Sequence, residues 1–195
     1  VNALPRLDVA VNLLWCAPGR VGGSEHYLVR QLLGLVGSSD VRATLFCGAS
    51  FAAAHPDLTD QFPSVLHRFV GGGRPLRVLA ENTWLPRRTG HADVVHHGGG
   101  TAPRIGSGPI VLTIHDLQYL TNPEYFSATK LRYLRAVVPG SVARAAVVAV
   151  PSTYVRETVI DRFDVPPERV AVVPHGVEPA LGADSPSEDE LRAEY

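Results

Sequence analysis

The feature that most constrains this chain is an alternation of short apolar runs with helically spaced stretches, repeated from one end almost to the other. Runs of strand length fall at residues 8–16, 41–47, 64–70, 93–97, 110–114, 147–150 and 169–173. Helical spacing fills residues 24–36, where Leu28, Leu32 and Leu35 share a face, and residues 74–86, 128–138 and 153–163. Strands that alternate with helices in this way need crossover connections, so they assemble as a parallel sheet with helices on both faces. The expectation is a Rossmann-like α/β fold of about seven strands. The run at 110–114 is apolar except for Thr113, as expected of a strand covered on both sides. Pro86 is expected to end its helix and Pro139-Gly140 to break another, whereas Ser152 is well placed as a helix N-cap. Residues 49–62 show no regular period.

With 195 residues, 45% of them apolar, the chain can build one such domain with a real core but not two of full size. Its net charge of -1 and single lysine, Lys130, argue against a nucleic-acid partner, which would call for clustered basic residues. Cys16 and Cys47 lie inside apolar runs and read as free, buried thiols of a reducing compartment. No apolar stretch approaches the roughly 20 residues of a membrane span. The early run at 9–17 is interrupted by Asn12 and is followed by no small-residue cleavage site, so it reads as a first strand and not as a signal peptide. The chain begins at Val1 and contains no methionine, so it is expected to be a segment of a longer one.

In open parallel sheets, ligands gather beyond the C-terminal strand ends. Several strand ends carry suggestive residues: Gly22-Gly23-Ser24-Glu25, His96-His97-Gly98-Gly99, His115-Asp116 and Ser152-Thr153. Gly22-Gly23 either lets backbone approach an anion at a helix N-terminus or simply makes a tight turn. It matches neither a P-loop nor a dinucleotide-binding fingerprint. His97-Gly98-Gly99-Gly100 looks like a lipase oxyanion-hole motif, but no Gly-x-Ser-x-Gly elbow accompanies it, which removes a hydrolase. His115 can donate to a sugar hydroxyl or phosphate with Asp116 beside it; equally, His115 can bond to backbone while Asp116 caps a turn. No pair of histidines at helical ligand spacing supports a metal site. The helix carrying Lys130, Arg132 and Arg135 reads as an ordinary amphipathic helix or as a contact for an anionic membrane surface.

Taken in order, the strand Asp-Val-Val-His-His, the run Ile-Val-Leu-Thr-Ile-His-Asp-Leu-Gln-Tyr, the segment Val-Pro-Ser-Thr-Tyr-Val-Arg-Glu and the stretch Val-Val-Pro-His-Gly-Val-Glu follow Gly-Gly-Ser-Glu. This ordered set resembles the N-terminal domain of group 1 (family 4) retaining glycosyltransferases with the GT-B fold, over nearly the whole chain. The resemblance implies that residues 1–178 bind the acceptor and that residues 179–195 are a linker and the start of a missing donor-binding domain. It places Gly22, Gly23 and Ser24 at the donor diphosphate and makes His115 and Asp116 catalytic. It puts His96, His97, Gly99, Ser152 and His175 elsewhere in the cleft. His175 and Glu178 depart from the Asn-Gly-Val-Asp usual at their positions. The glutamate pair that contacts the donor in that family is absent, which implies that this segment alone is inactive.

The function so implied is transfer of a sugar from a nucleotide-sugar to a sugar, lipid or small-molecule acceptor with retention, without metal or other cofactor. The site would be cytoplasmic, or at the inner face of the membrane with peripheral contact. A non-catalytic half-domain that binds a glycan or a protein partner, or a sugar-nucleotide epimerase of the same fold, would carry much of the same pattern.

Overall fold

The computed structural model describes residues 6–19, 22–68, 73–106, 108–176 and Arg192. Seven strands, β1 (Leu7–Asn12), β2 (Val41–Gly48), β3 (Ser64–His67), β4 (Val94–His97), β5 (Ile110–Thr113), β6 (Val147–Val150) and β7 (Val170–Val172), form one parallel sheet. Their order across the sheet is β3-β2-β1-β4-β5-β6-β7. Val11 and Asn12 of β1 stand opposite His96 and His97 of β4, and His97 stands opposite Leu112 of β5. The chain winds outward from β1 in one direction and from β4 in the other, so the switch point lies between them, where such sheets open a crevice.

Helices α1 (Gly23–Gly34), α2 (Ala49–Ala54) and α3 (Pro56–Gln61) cover one face of β1 and β2. Leu28, Leu32, Phe51 and Leu58 from these helices pack on Val11, Ala43, Leu45 and Cys47. On the opposite face, α4 (Arg74–Arg88) sets Ala80 and Leu85 against Ala10, Phe46 and Val95. A short helix, α5 (Gln118–Thr121), and a 3-10 turn at Pro123–Tyr125 lead into α6 (Ala128–Arg144). With α7 (Thr153–Phe163), α6 closes the second half of the core on Leu112, Val148, Val150 and Val170. Cys16 and Cys47 are free and buried, and burial pushes their thiols up to about 12 and about 11, which leaves them unreactive at neutral pH.

The first strand ends four residues earlier than the apolar run suggests. Asn12 stops it: its Oδ1 accepts the Leu14 N–H at 3.1 Å, and its backbone carbonyl accepts the Trp15 indole N–H at 2.9 Å. The chain therefore turns away, while Leu13–Cys16 stay buried as a packed corner. Residues 49–62 hold α2 and α3, too short to declare a period. The third strand stops at His67, and Val70, Gly71 and Gly72 lie outside the described residues, as do residues 177–191 and 193–195.

Two expected helix breaks do not occur. Pro86 sits inside α4, whose end comes at Thr89, where the hydroxyl and the amide both donate to the Leu85 carbonyl. Likewise α6 runs through Pro139. The orphaned carbonyl there is that of Arg135, on the exposed side, while Val138, Ser141 and Val142 hold the buried stripe in register. Ser141 Oγ donates to the Val137 carbonyl at 2.9 Å and accepts the Ala102 N–H at 3.0 Å, tying the β4–β5 loop to α6.

Replacing exposed Pro139 by alanine restores a helix N–H and is expected to stabilise the fold by about 1–3 kcal/mol. A rise in thermal melting temperature would show this; an unchanged or lower value would mean that the proline does not destabilise α6.

Candidate functional site

At the C-terminal strand ends lies an open cleft of about 460 Å³. Its walls come from Trp15 after β1, Ser24 at the start of α1, Arg74 and Arg77 in the first turn of α4, and Gly99–Thr101 after β4. Residues 114–119 after β5 and Lys130, Tyr133 and Leu134 of α6 complete it.

The floor depends on the glycine run. A Cβ on Gly99 would stand 2.5 Å from the Trp15 ring, and one on Gly98 would stand 2.8 Å from Leu28. Packing of Trp15 and Leu28 thus accounts for Gly99 and Gly98, and a left-handed φ of 75° for Gly100, without an oxyanion hole. Gly22 is the N-cap of α1 with φ of 59° and ψ of -128°, a conformation that only glycine adopts cheaply. No side chain caps this helix. Glu25 turns back instead: one carboxylate oxygen accepts the Gly19 N–H at 3.1 Å, and the other meets His55 Nε2 at 2.8 Å.

Beneath the cleft, Asn12 Nδ2 donates to Glu81 Oε1 at 3.1 Å and to His97 Nδ1 at 3.1 Å. With Nδ1 accepting, the His97 proton sits on Nε2 and the ring is neutral. Burial is the main cause that pushes His97 down to about 3, with His96 and Arg144 adding to it. His96, bonded through Nε2 to Thr113 Oγ1 at 2.8 Å, is pushed down to about 4 by burial and then by His115. Burial likewise raises the pKa of Glu81, against the opposing pull of Arg77 and Asn12.

His115 lines the cleft. Its Nε2 donates to the Gly98 carbonyl at 3.0 Å, which leaves Nδ1 as a buried acceptor with no partner. Burial is the largest influence on this ring and lowers its pKa; the Gly98 carbonyl opposes that, and nearby His175 adds to it. Tyr27 meets His115 edge-on at 5.2 Å and His175 at 4.3 Å. Asp116 Oδ1 accepts the Gln118 N–H at 3.0 Å, so it caps the turn into α5 while still lining the cleft.

The structure therefore brings Ser24, Gly99, His115 and Asp116 to one cleft, with Gly22 and Gly23 beside it and His175 behind His115. His96 and His97 lie beneath, each with one ring nitrogen bonded within the fold. Ser152 does not line this cleft: its hydroxyl accepts the Val155 N–H at 3.3 Å as the N-cap of α7. Sequence reasoning passed over Arg74, Arg77 and Tyr133. The available signal was the i, i+3 spacing of the two arginines at a helix start, which puts both on one face. Among the described residues no three His, Cys, Asp or Glu side chains gather as a metal site, and no helix is long and apolar enough to cross a membrane.

The sequence model of Glycosyltransferase Family 4 matches residues 21–181. No curated protein matches the chain in sequence. Among solved structures, the chain is similar to Anabaena Alr3699/HepE in complex with UDP and glucose, with TM-score 0.56, 19% identity, and coverage of 97% of this chain and 50% of that one. It is also similar to a glycosyltransferase from Rickettsia africae ESF-5, with TM-score 0.52, 11% identity, and coverage of 97% and 48%. A Listeria monocytogenes protein assigned as a UDP-N-acetylglucosamine 2-epimerase gives TM-score 0.58 and 12% identity, with coverage of 85% and 44%. These likenesses show a shared fold, and the chain spans about half the length of each structure.

Two outcomes follow for the site. Gly99→Ala and Gly22→Ala should each destabilise the fold by about 1–3 kcal/mol, through the Trp15 clash and the backbone conformation respectively. Gly23→Ala, whose Cβ meets nothing within 4 Å, should be neutral or slightly stabilising. Equal melting temperatures for all three would remove the indole-seat explanation. Second, His96 and His97 bind fewer protons folded than unfolded below about pH 6.5, so stability is full above that pH and falls as pH drops through it. Each histidine contributes at most about 1.4 kcal/mol per pH unit. The decline continues toward their folded values of about 4 and 3. Melting curves from pH 7 to 4.5 should fall less steeply in His97→Gln; parallel curves would clear His97.

Proposed function

The chain belongs to Glycosyltransferase Family 4, and on that footing we propose that it is the N-terminal, acceptor-side half of an enzyme that transfers a sugar from a nucleotide-sugar with retention at the anomeric carbon. The observation that carries this reading is the cleft at the switch point between β1 and β4. The family match spans the helix start at its rim, His115 and Asp116 on its wall, and the approach to His175. An open cleft of this size suits one acceptor rather than a complete two-substrate complex. A second domain would then bring the donor over it, and closure would exclude water around the reacting groups.

In this scheme His115 positions the transferred sugar. Its proton is committed to the Gly98 carbonyl, so the unpartnered Nδ1 can accept from a hydroxyl but cannot protonate a leaving group. Asp116 offers a second acceptor beside it. The amides of Gly23 and Ser24, at an uncapped helix start, face the developing charge of the leaving diphosphate. Transfer runs without a bound metal, so chelation leaves its rate unchanged.

The test uses the full-length gene product with a panel of nucleotide-sugars. His115→Ala should lower turnover by about 100-fold, the scale of a misplaced reactant, with melting temperature nearly unchanged. Undiminished turnover in a folded variant would take His115 out of the site. NMR of the first-formed product reads the anomeric configuration, and an inverted product would overturn retention. The likeness to the Listeria epimerase fold keeps a second reading open: an epimerase would alter the sugar-nucleotide with no acceptor present.

A further inference from the structure

We infer that the acceptor carries a phosphate monoester, seated by Arg74, Arg77 and Lys130; this rests on the acceptor-side reading of the cleft. All three cations come from the first turns of α4 and α6 and line one cavity. Among the described residues, no carboxylate lies within ion-pair distance of Arg74 or Lys130. Each rests on an aromatic ring instead: the Arg74 guanidinium is 5.9 Å from the Tyr133 ring centre and the Lys130 ammonium 4.8 Å from that of Phe126. A ring holds a cation in place while leaving its N–H donors free for a ligand.

Arg77 is only partly neutralised. Its Nε lies 3.7 Å from Glu81 Oε2, too far for a hydrogen bond, and is buried with no acceptor. Glu81 is itself shared with Asn12, and burial draws it toward its neutral form. The one acid among the described residues that lines the cleft, Asp116, has an oxygen committed to the Gln118 amide. Three cations facing a single exposed carboxylate suit a group that is close to dianionic at neutral pH, as a phosphate monoester is, better than a singly charged carboxylate. Two arginines on one helix face present planar forks that match phosphate oxygens. The excess is local, since the whole chain has net charge -1.

The placement also orients the ligand. The phosphate would stand against α4 and α6, and a hydroxyl would reach toward His115 on the other wall. Trp15, Ile114, Leu117 and Leu134 would cover the body between them.

The experiment has a binding arm and a turnover arm, both on the full-length protein. In the first, calorimetry compares glucose 6-phosphate with glucose and glycerol 3-phosphate with glycerol, on wild type and on the double variant R74Q/K130Q. Phosphorylated members should bind at least ten-fold tighter, and the variant should abolish the difference. Equal binding within every pair would overturn the inference. In the second arm, the same pairs, together with a polyprenol and its monophosphate in detergent, compete for transfer from the donor panel. The inference predicts a phosphorylated acceptor whose KM rises about ten-fold in the variant; soluble or lipid preference identifies its source. A rise in the donor's KM instead would assign the cations to the donor diphosphate and overturn the acceptor assignment. Phosphate-selective binding with no nucleotide-sugar consumed would sink the transferase reading and leave the anion seat standing.

Discussion

Asn12 makes no contact with solvent, yet four groups from three stretches of the chain bond to it. Its side-chain oxygen takes the Leu14 amide, its carbonyl takes the Trp15 indole, and its amide group serves both Glu81 and His97. Each of these bonds fixes something the cleft needs. The first ends β1, and the second presses Trp15 onto Gly98-Gly99. The third anchors the carboxylate beneath Arg77, and the fourth fixes the tautomer of His97, the last residue of β4. Losing this side chain would leave a buried carboxylate and a buried imidazole short of a partner at once, a costlier change than the loss of one hydrogen bond.

The cleft has two electrical regimes. Burial strips the hydration of His96 and His97 beneath the cleft and of His115 on its wall, and so lowers the pKa of all three. Along the α4 and α6 wall, permanently charged groups sit on aromatic rings with few counter-charges. A ligand would therefore meet uncharged hydrogen-bonding groups at one end and the exposed cations Arg74 and Lys130 at the other. That contrast gives orientation as well as affinity, because a reversed ligand would strand its charge against the neutral end.

Much of the architecture was legible because it depends on local pattern. Strands at 41–47, 110–114 and 147–150, the Ser152 cap and α7 follow directly from apolar runs and capping chemistry. Where reading failed, a distant contact outweighed local preference. Pro139 and Pro86 should break helices, but tertiary packing of Val138, Val142 and Leu85 carries both helices through. The early end of β1 was hidden because Leu13–Cys16 remain apolar and buried after the strand stops. His115 and Asp116, expected at the cleft from their strand-end position, do line it. Arg74 was not expected there, since what distinguishes it is an aromatic neighbour in place of a carboxylate among the described residues, a property of the assembled cleft and of no residue alone.

The connection from β4 to β5 contains no helix. It crosses the sheet end as bare backbone under an indole, tied to α6 through Ser141 and to α4 through the Asn82 side chain. The floor of the cleft is thus written in glycines and main-chain atoms, whereas its rim is written in side chains that project from helix starts. Heritable variation meets these two layers differently. A change at Gly99 meets Trp15, and one at Gly98 meets Leu28, so each is eased by a matching change in its neighbour. A change at Arg74, Lys130 or Tyr133 alters the shape and charge of the cleft wall while leaving the sheet untouched. The rim of this fold can therefore vary by single steps long before the floor shows any drift.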